Sequence, residues 1–121
     1  MSLILIADDE LPQRILIREI LSAEASRIFL EAEDGRQTWE FMQQYHPDIA
    51  ILDIMMPYLT GLEVCQRIKT DPNLSTIPVI LLTARNNEED RQKGEAAGCN
   101  DYLAKPFDPR ELEQMVLHLL G

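Results

Sequence analysis

The sequence is short of basic residues. Lysine and arginine number 11 against 21 aspartates and glutamates, a formal net charge of −10 over 121 residues. A nucleic-acid binder needs a basic face to displace phosphate counterions, so direct nucleic-acid binding is not expected. Attraction to an anionic membrane is not expected for the same reason. Long hydrophobic runs are also missing, since none approaches the roughly 20 apolar residues that span a bilayer. Met1-Ser2-Leu3-Ile4 has no basic stretch and no small-residue cleavage site, so no signal peptide is expected. Cysteine is scarce. Cys65 and Cys99 form no CxxC and have no nearby histidine, so they read as small buried thiols in a reducing cytoplasm. Repeats and low-complexity segments are absent. With 45% hydrophobic and 26% charged residues, the chain reads as one globular domain over 1–121.

What is present is an alternation of short apolar runs with helical patterns. Leu3–Ala7, Ile49–Leu52 and Val79–Leu82 are apolar on both faces, as a parallel sheet covered by helices requires. Ile28–Leu30 and Tyr102–Ala104 are shorter and suit edge strands. The intervening segments carry stripes at i, i+3, i+4, i+7. These are Thr38/Phe41/Met42/Tyr45, Gly61/Val64/Cys65/Ile68 and Leu112/Met115/Val116/Leu119, while the first helix repeats Leu16–Ile20 and Ile17–Leu21. Capping patterns open four helices: Asp34…Gln37, Thr60…Glu63, Asn86…Glu89 and Asp108…Glu111, the last with Pro109 at its first position. The first helix has no such box after Asp8-Asp9, which hints that this acidic pair serves another purpose. Five β-α units with right-handed crossovers predict a doubly wound five-stranded parallel sheet. Its helices cover both faces, and its strand order is the flavodoxin-like 2-1-3-4-5.

On that sheet Asp8 and Asp9 follow strand 1, Asp53 follows strand 3, Thr83 ends strand 4, and Lys105-Pro106 ends strand 5. All lie at carboxyl ends of strands, beside the switch point where such folds bind ligands. Any one of them alone reads as a turn, a cap or a strand former. Their joint placement is what points to a site. Three carboxylates close together repel, and a proton or a cation relieves the repulsion. The ligands are all oxygens, which favours Mg²⁺ (or Mn²⁺) over zinc or copper. A lysine and a hydroxyl beside such an ion suit a phosphoryl group, and an aspartate there can be the nucleophile. No Walker-type loop is present to bind a nucleotide.

These motifs are Asp8-Asp9, "LDIMMPYLTGLE" around Asp53, "VILLTAR" around Thr83, and "DYLAKPF" around Lys105, with "EAEDG" at Glu31–Gly35. Together they resemble a response-regulator receiver domain from about Leu3 to Leu120. The resemblance implies a signalling phosphoacceptor rather than an enzyme, one that assists its own phosphorylation and dephosphorylation. Asp53 would take the phosphoryl group from the phosphohistidine of a sensor histidine kinase or phosphotransfer protein. Asp9 would bind Mg²⁺ directly, Asp8 mainly through water, and the Met55 carbonyl would complete the protein ligands. Lys105 and Thr83 would contact the phosphoryl group, Thr83 and Tyr102 would form the switch, and the Lys105–Pro106 peptide would be cis. Met55 and Arg85 occupy the variable positions that tune hydrolysis in this family. The signal would be read on the face made by the fourth helix, fifth strand and fifth helix, which also offers a surface for a dimer. Two other classes share this kind of sheet. A haloacid-dehalogenase-type phosphatase carries Asp-x-Asp after strand 1 and a cap domain. A flavodoxin-like electron carrier needs a Ser/Thr/Gly phosphate loop where this chain has Asp-Asp-Glu.

The fourth helix, expected over roughly 88–97, has no large aliphatic residue and contains Gly94. It gains little from burial, so it is the element most readily shifted by an event at Thr83.

Overall fold

The computed structural model describes residues 1–84 and 87–121. Five strands alternate with five helices: β1 (Ser2–Ala7), α1 (Leu11–Leu21), β2 (Arg27–Ala32), α2 (Gly35–Tyr45), β3 (Ile49–Asp53), α3 (Gly61–Thr70), β4 (Val79–Ala84), α4 (Glu88–Ala97), β5 (Asp101–Lys105) and α5 (Pro109–Leu120). The strands are parallel and ordered β2-β1-β3-β4-β5. β1 and β3 are therefore neighbours although a whole β-α unit separates them in sequence. Their carboxyl ends open the crevice at the switch point.

Successive strand residues point to opposite faces, which divides the core in two. Leu5, Ala7, Ala50, Leu52, Val79 and Leu81 pack with Met42 of α2 and Val64, Cys65 and Ile68 of α3. Ile4, Ile6, Ile49, Ile51, Ile80 and Leu82 pack with Ile17 and Leu21 of α1 and Leu112 and Val116 of α5. Each fully buried Ile or Leu contributes about 1.5–3 kcal/mol of transfer free energy. Trimming Ile51 to alanine at the centre of the sheet would cost about 2–5 kcal/mol.

The helices follow the expected stripes with some departures. In α3 all four stripe residues are buried. In α2 Thr38 and Met42 are buried, but Tyr45 in the last turn is half-exposed and packs edge-on against Phe41, with ring centroids 5.7 Å apart. In α1 Ile17 and Leu21 face inward, while Leu16 is 45% exposed and lies beside the stripe. β2 is an edge strand but is as long as β1, because its pairing with β1 runs from Arg27 to Ala32.

Among the described residues, only the Thr60–Glu63 cap closes as a reciprocal box. Asp34 caps Gln37 N–H, but the Gln37 side chain accepts from Glu33 N–H, one residue before the cap. The Asp108 side chain accepts from Arg110 N–H, one residue short of Glu111, whose N–H donates instead to the Asp108 carbonyl at 3.0 Å. The α4 cap is Asn87, accepting from Asp90 N–H at 3.1 Å. Asn86, expected as the cap, lies outside the described residues, as does Arg85.

α4 buries only Gly94. A Cβ there would come within 3.0 Å of Leu81 Cδ1, so the helix approaches the sheet by having no side chain at that point. Cys65 is buried and Cys99 half-buried, both as free thiols. Burial pushes the Cys65 thiol up to about 12, which keeps it protonated and unreactive. Among the described residues, no helix is long and apolar enough to cross a membrane.

Candidate functional site

β1 ends at Ala7, and the next residue is fully buried although it is an aspartate. Every polar group of Asp8 is engaged. Its N–H donates to Ala32 O at 3.1 Å, and its carbonyl accepts from Arg14 Nη1 at 2.7 Å. Its Oδ1 accepts from Glu10 N–H at 2.9 Å, and its Oδ2 accepts from Lys105 Nζ at 2.9 Å. Buried charge is tolerated only with such pairing. Glu10 at the start of α1 provides no side-chain cap, and its own N–H is the one held by Asp8.

Asp53 ends β3 and is 6% exposed. Lys105 Nζ lies 3.3 Å from its Oδ1, so one ammonium spans both buried carboxylates. Burial, and after it the neighbouring Asp8 charge, raises the Asp53 carboxyl to about 6, while Lys105 and the Met55 N–H pull it down. Burial works against the Lys105 charge. The Asp8 hydrogen bond and the Asp53 charge more than offset it, so the ammonium titrates above its ordinary value.

The loop after Asp53 folds back over it. Gly61 N–H donates to Ile54 O at 2.9 Å, and a Cβ on Gly61 would collide with the Asp53 carbonyl oxygen. Only glycine allows this approach. The same loop is tied to α2 by the Gly35 N–H to Pro57 O bond at 3.0 Å. Arg36 lies over the Tyr58 ring, 4.1 Å from its centre. Met55 stands at the rim with its side chain exposed.

Thr83 is buried near the end of β4 and pairs with Ala104, while Lys105 ends β5 and precedes a cis peptide to Pro106. A cavity of about 460 Å³ opens between the ends of β4 and β5 and α4. Thr83, Ala84, Tyr102 and Arg91 line it, and the Arg91 guanidinium sits 4.7 Å from the Tyr102 ring centre.

The structure thus brings Asp8, Asp53 and Lys105 into direct contact. Asp9 is exposed on the same turn, and Asp8, Asp9 and Glu10 each place a carboxylate oxygen within 4.8 Å of the others. These donors are all hard oxygens. The repulsion that raises Asp53 is of the kind a divalent cation relieves, so the residues fit Mg²⁺. Sequence reasoning missed Glu10 and Arg14. Arg14 carried a signal, because positions 14, 17 and 21 share the i, i+3, i+7 face that α1 buries, and an arginine on such a face needs a buried partner.

A doubly wound parallel α/β sheet thus carries an aspartate–lysine–aspartate cluster at its switch point, which defines the class of α/β domains to which this chain belongs. The chain belongs within that class to the response regulator receiver domain family, whose pattern matches residues 4–117. It is 44% identical to response regulator GtcR of Aneurinibacillus migulanus, covering 89% of this chain and 43% of that one. It is 36% identical to response regulator Rre1 of Synechocystis, covering 98% and 51%. The chain therefore spans about half the length of the curated relatives it matches. A response regulator from Chloroflexus aurantiacus superposes with a TM-score of 0.93 at 32% identity, over 98% of this chain and 97% of that one. The receiver domain of a sensor histidine kinase from Pseudomonas aeruginosa superposes with a TM-score of 0.89 at 29% identity, covering 99% and 98%. That protein holds a magnesium ion in its active-site cleft. The chain is thus a receiver domain of two-component response regulators, a signalling domain.

Proposed function

We propose that residues 1–121 act as one phosphoacceptor unit, with Asp53 taking a phosphoryl group from the phosphohistidine of a sensor histidine kinase or phosphotransfer protein. An Asp53 carboxylate oxygen bonds to phosphorus as the phosphorus–nitrogen bond breaks, and the electron pair leaves with the imidazole nitrogen. The observation that carries this reading is the Lys105 ammonium, 2.9 Å from Asp8 and 3.3 Å from Asp53. It fixes the acceptor carboxylate and stands ready for phosphoryl oxygens. A carboxyl titrating near 6 is mostly ionised at neutral pH, as a nucleophile must be.

Mg²⁺, or Mn²⁺ in its place, would neutralise charge on the phosphoryl oxygens. Asp9, Asp53 and the Met55 carbonyl would hold it directly. Asp8 would act mainly through water, which suits a residue whose two carboxylate oxygens already accept hydrogen bonds within the protein. Thr83 donates its hydroxyl to the phosphoryl group, and the Tyr102 ring turns into the space released beside it. The altered surface is the α4–β5–α5 face, which controls a partner or output domain and offers a dimer contact. A kinase partner of this kind would meet the domain in the cytoplasm, which is the location this reading assigns. It works as a signalling module, and its own site assists both gain and loss of phosphate.

The test is intact mass after incubation with acetyl phosphate and Mg²⁺. The wild type gains one phosphoryl group, and Asp53→Asn and EDTA-treated protein gain none. Labelling of Asp53→Asn at the wild-type rate contradicts the assignment.

A further inference from the structure

Arg14 is 6% exposed, yet it belongs to a helix that otherwise turns its charges outward. Its Nε donates to Glu31 Oε1 at 3.1 Å and its Nη1 to the Asp8 carbonyl at 2.7 Å, with Glu33 4.0 Å from Nη2. Arg18 Nη1 holds the other Glu31 oxygen at 2.8 Å. The Asp8 carbonyl lies one residue past the end of β1, where the ladder supplies no further donor. Arg14 takes the ladder's place.

That carbonyl and the Asp9 N–H belong to one rigid peptide plane. Holding the oxygen from behind fixes the plane's rotation, and with it the direction in which the Asp9 side chain leaves the backbone. The Glu10 N–H to Asp8 Oδ1 bond holds the far side of the same turn. Asp9, exposed and between two anchored peptides, therefore has a backbone fixed before any ligand arrives. Glu31 fixes the guanidinium, and Arg18 fixes Glu31. The chain of contacts runs from β2 and α1 to the acidic turn.

Resting on the functional reading above, we propose that Arg14, anchored by Glu31, is a positioning residue that orients the Asp8–Asp9 peptide so that the Asp9 carboxylate faces the divalent cation. Arg14 touches neither the phosphoryl group nor the ion. Its planar fork serves a carbonyl and a carboxylate together, which the single ammonium of lysine cannot do in the same geometry. Groups that orient metal ligands typically account for about 10- to 100-fold in metal affinity.

The experiment compares wild type, Arg14→Lys and Glu31→Gln. Mg²⁺ affinity is measured by calorimetry and by amide NMR of the Asp9 resonance, and melting is recorded in EDTA. Arg14→Lys should weaken Mg²⁺ binding about tenfold, shift the metal-free Asp9 amide, and recover its acetyl-phosphate labelling rate at saturating Mg²⁺. Glu31→Gln should weaken Mg²⁺ binding in the same direction by a smaller factor, and it carries the test if Arg14→Lys does not fold. Wild-type Mg²⁺ affinity in folded Arg14→Lys, or in Glu31→Gln if only that variant folds, overturns the proposal, even where the melting temperature falls. A wild-type chain that binds no Mg²⁺ overturns the functional reading and this inference with it.

Discussion

Arg91 of α4 places its guanidinium 4.7 Å from the centre of the Tyr102 ring on β5. Glu88 and Glu95 of the same helix flank that guanidinium at 3.6 and 4.0 Å. α4 buries only Gly94, so this cation–π contact is one of the few features that tie it to β5. The ring also borders the cavity that Thr83 lines, so whatever moves Tyr102 must release Arg91.

Arg91→Ala should therefore free the ring. An exposed cation–π contact stabilises by roughly 0.5–1 kcal/mol, a two- to fivefold shift in population. Ring resonances of Tyr102 and amides of 87–104 should move part of the way toward their positions with beryllofluoride before any beryllofluoride is added. Unchanged Tyr102 resonances would show that Arg91 does not hold the ring.

Asp53 should destabilise the fold when ionised. Its folded pKa, about 6, lies above the unfolded 3.8, so its favourable contribution is complete below about 3.8 and is lost as pH rises through about 6. Two pH units correspond to at most about 3 kcal/mol. In EDTA at pH 7, Asp53→Asn should melt higher than wild type, and the gap should close as pH falls toward 4. Chemical denaturation across that range measures it, and a gap that widens at low pH contradicts the sign.

Mg²⁺ binding should weaken with acid for the same reason, since a proton and the cation compete for Asp53. Affinity should fall steeply below about pH 6. Titration calorimetry from pH 5 to 8 reads this directly, and a flat profile would remove Asp53 from the ligand set.

Lys105→Ala should leave the buried Asp8 Oδ2 without its ammonium, at a cost of about 1–3 kcal/mol. The fold and Mg²⁺ binding should persist. Phosphorylation should no longer produce the distant amide shifts over 87–104. Loss of the folded spectrum would make Lys105 chiefly structural.

The strand order and both core faces were legible because doubly buried strands and amphipathic helices leave plain patterns. Leu16 and Tyr45 were misplaced, since a stripe gives a helix's angle but not how far the sheet extends beneath it. At α4 the adjacent asparagines offer equivalent side chains to a sequence reading; Asn87 caps the helix, and Asn86 lies outside the described residues. Asp8, Asp53 and Lys105 were legible as a cluster because strand ends fix their neighbourhood. Arg14 was legible only as a charge on the buried face of α1; its partner, the Asp8 carbonyl, was not, because backbone groups leave no mark in a sequence. Gly61 was read as a stripe residue, whereas its lack of a side chain lets the loop close over Asp53.

Chemical location of the phosphoryl group tests the role of Asp53 most directly. The protein is phosphorylated with acetyl phosphate and Mg²⁺, reduced with borohydride, digested and sequenced by mass spectrometry. Reduction converts an aspartyl phosphate to homoserine. Homoserine is expected at position 53 alone, and none when Mg²⁺ is withheld. Homoserine at position 8 or 9 instead, or an unmodified residue 53 in protein that carries phosphate, would contradict that role.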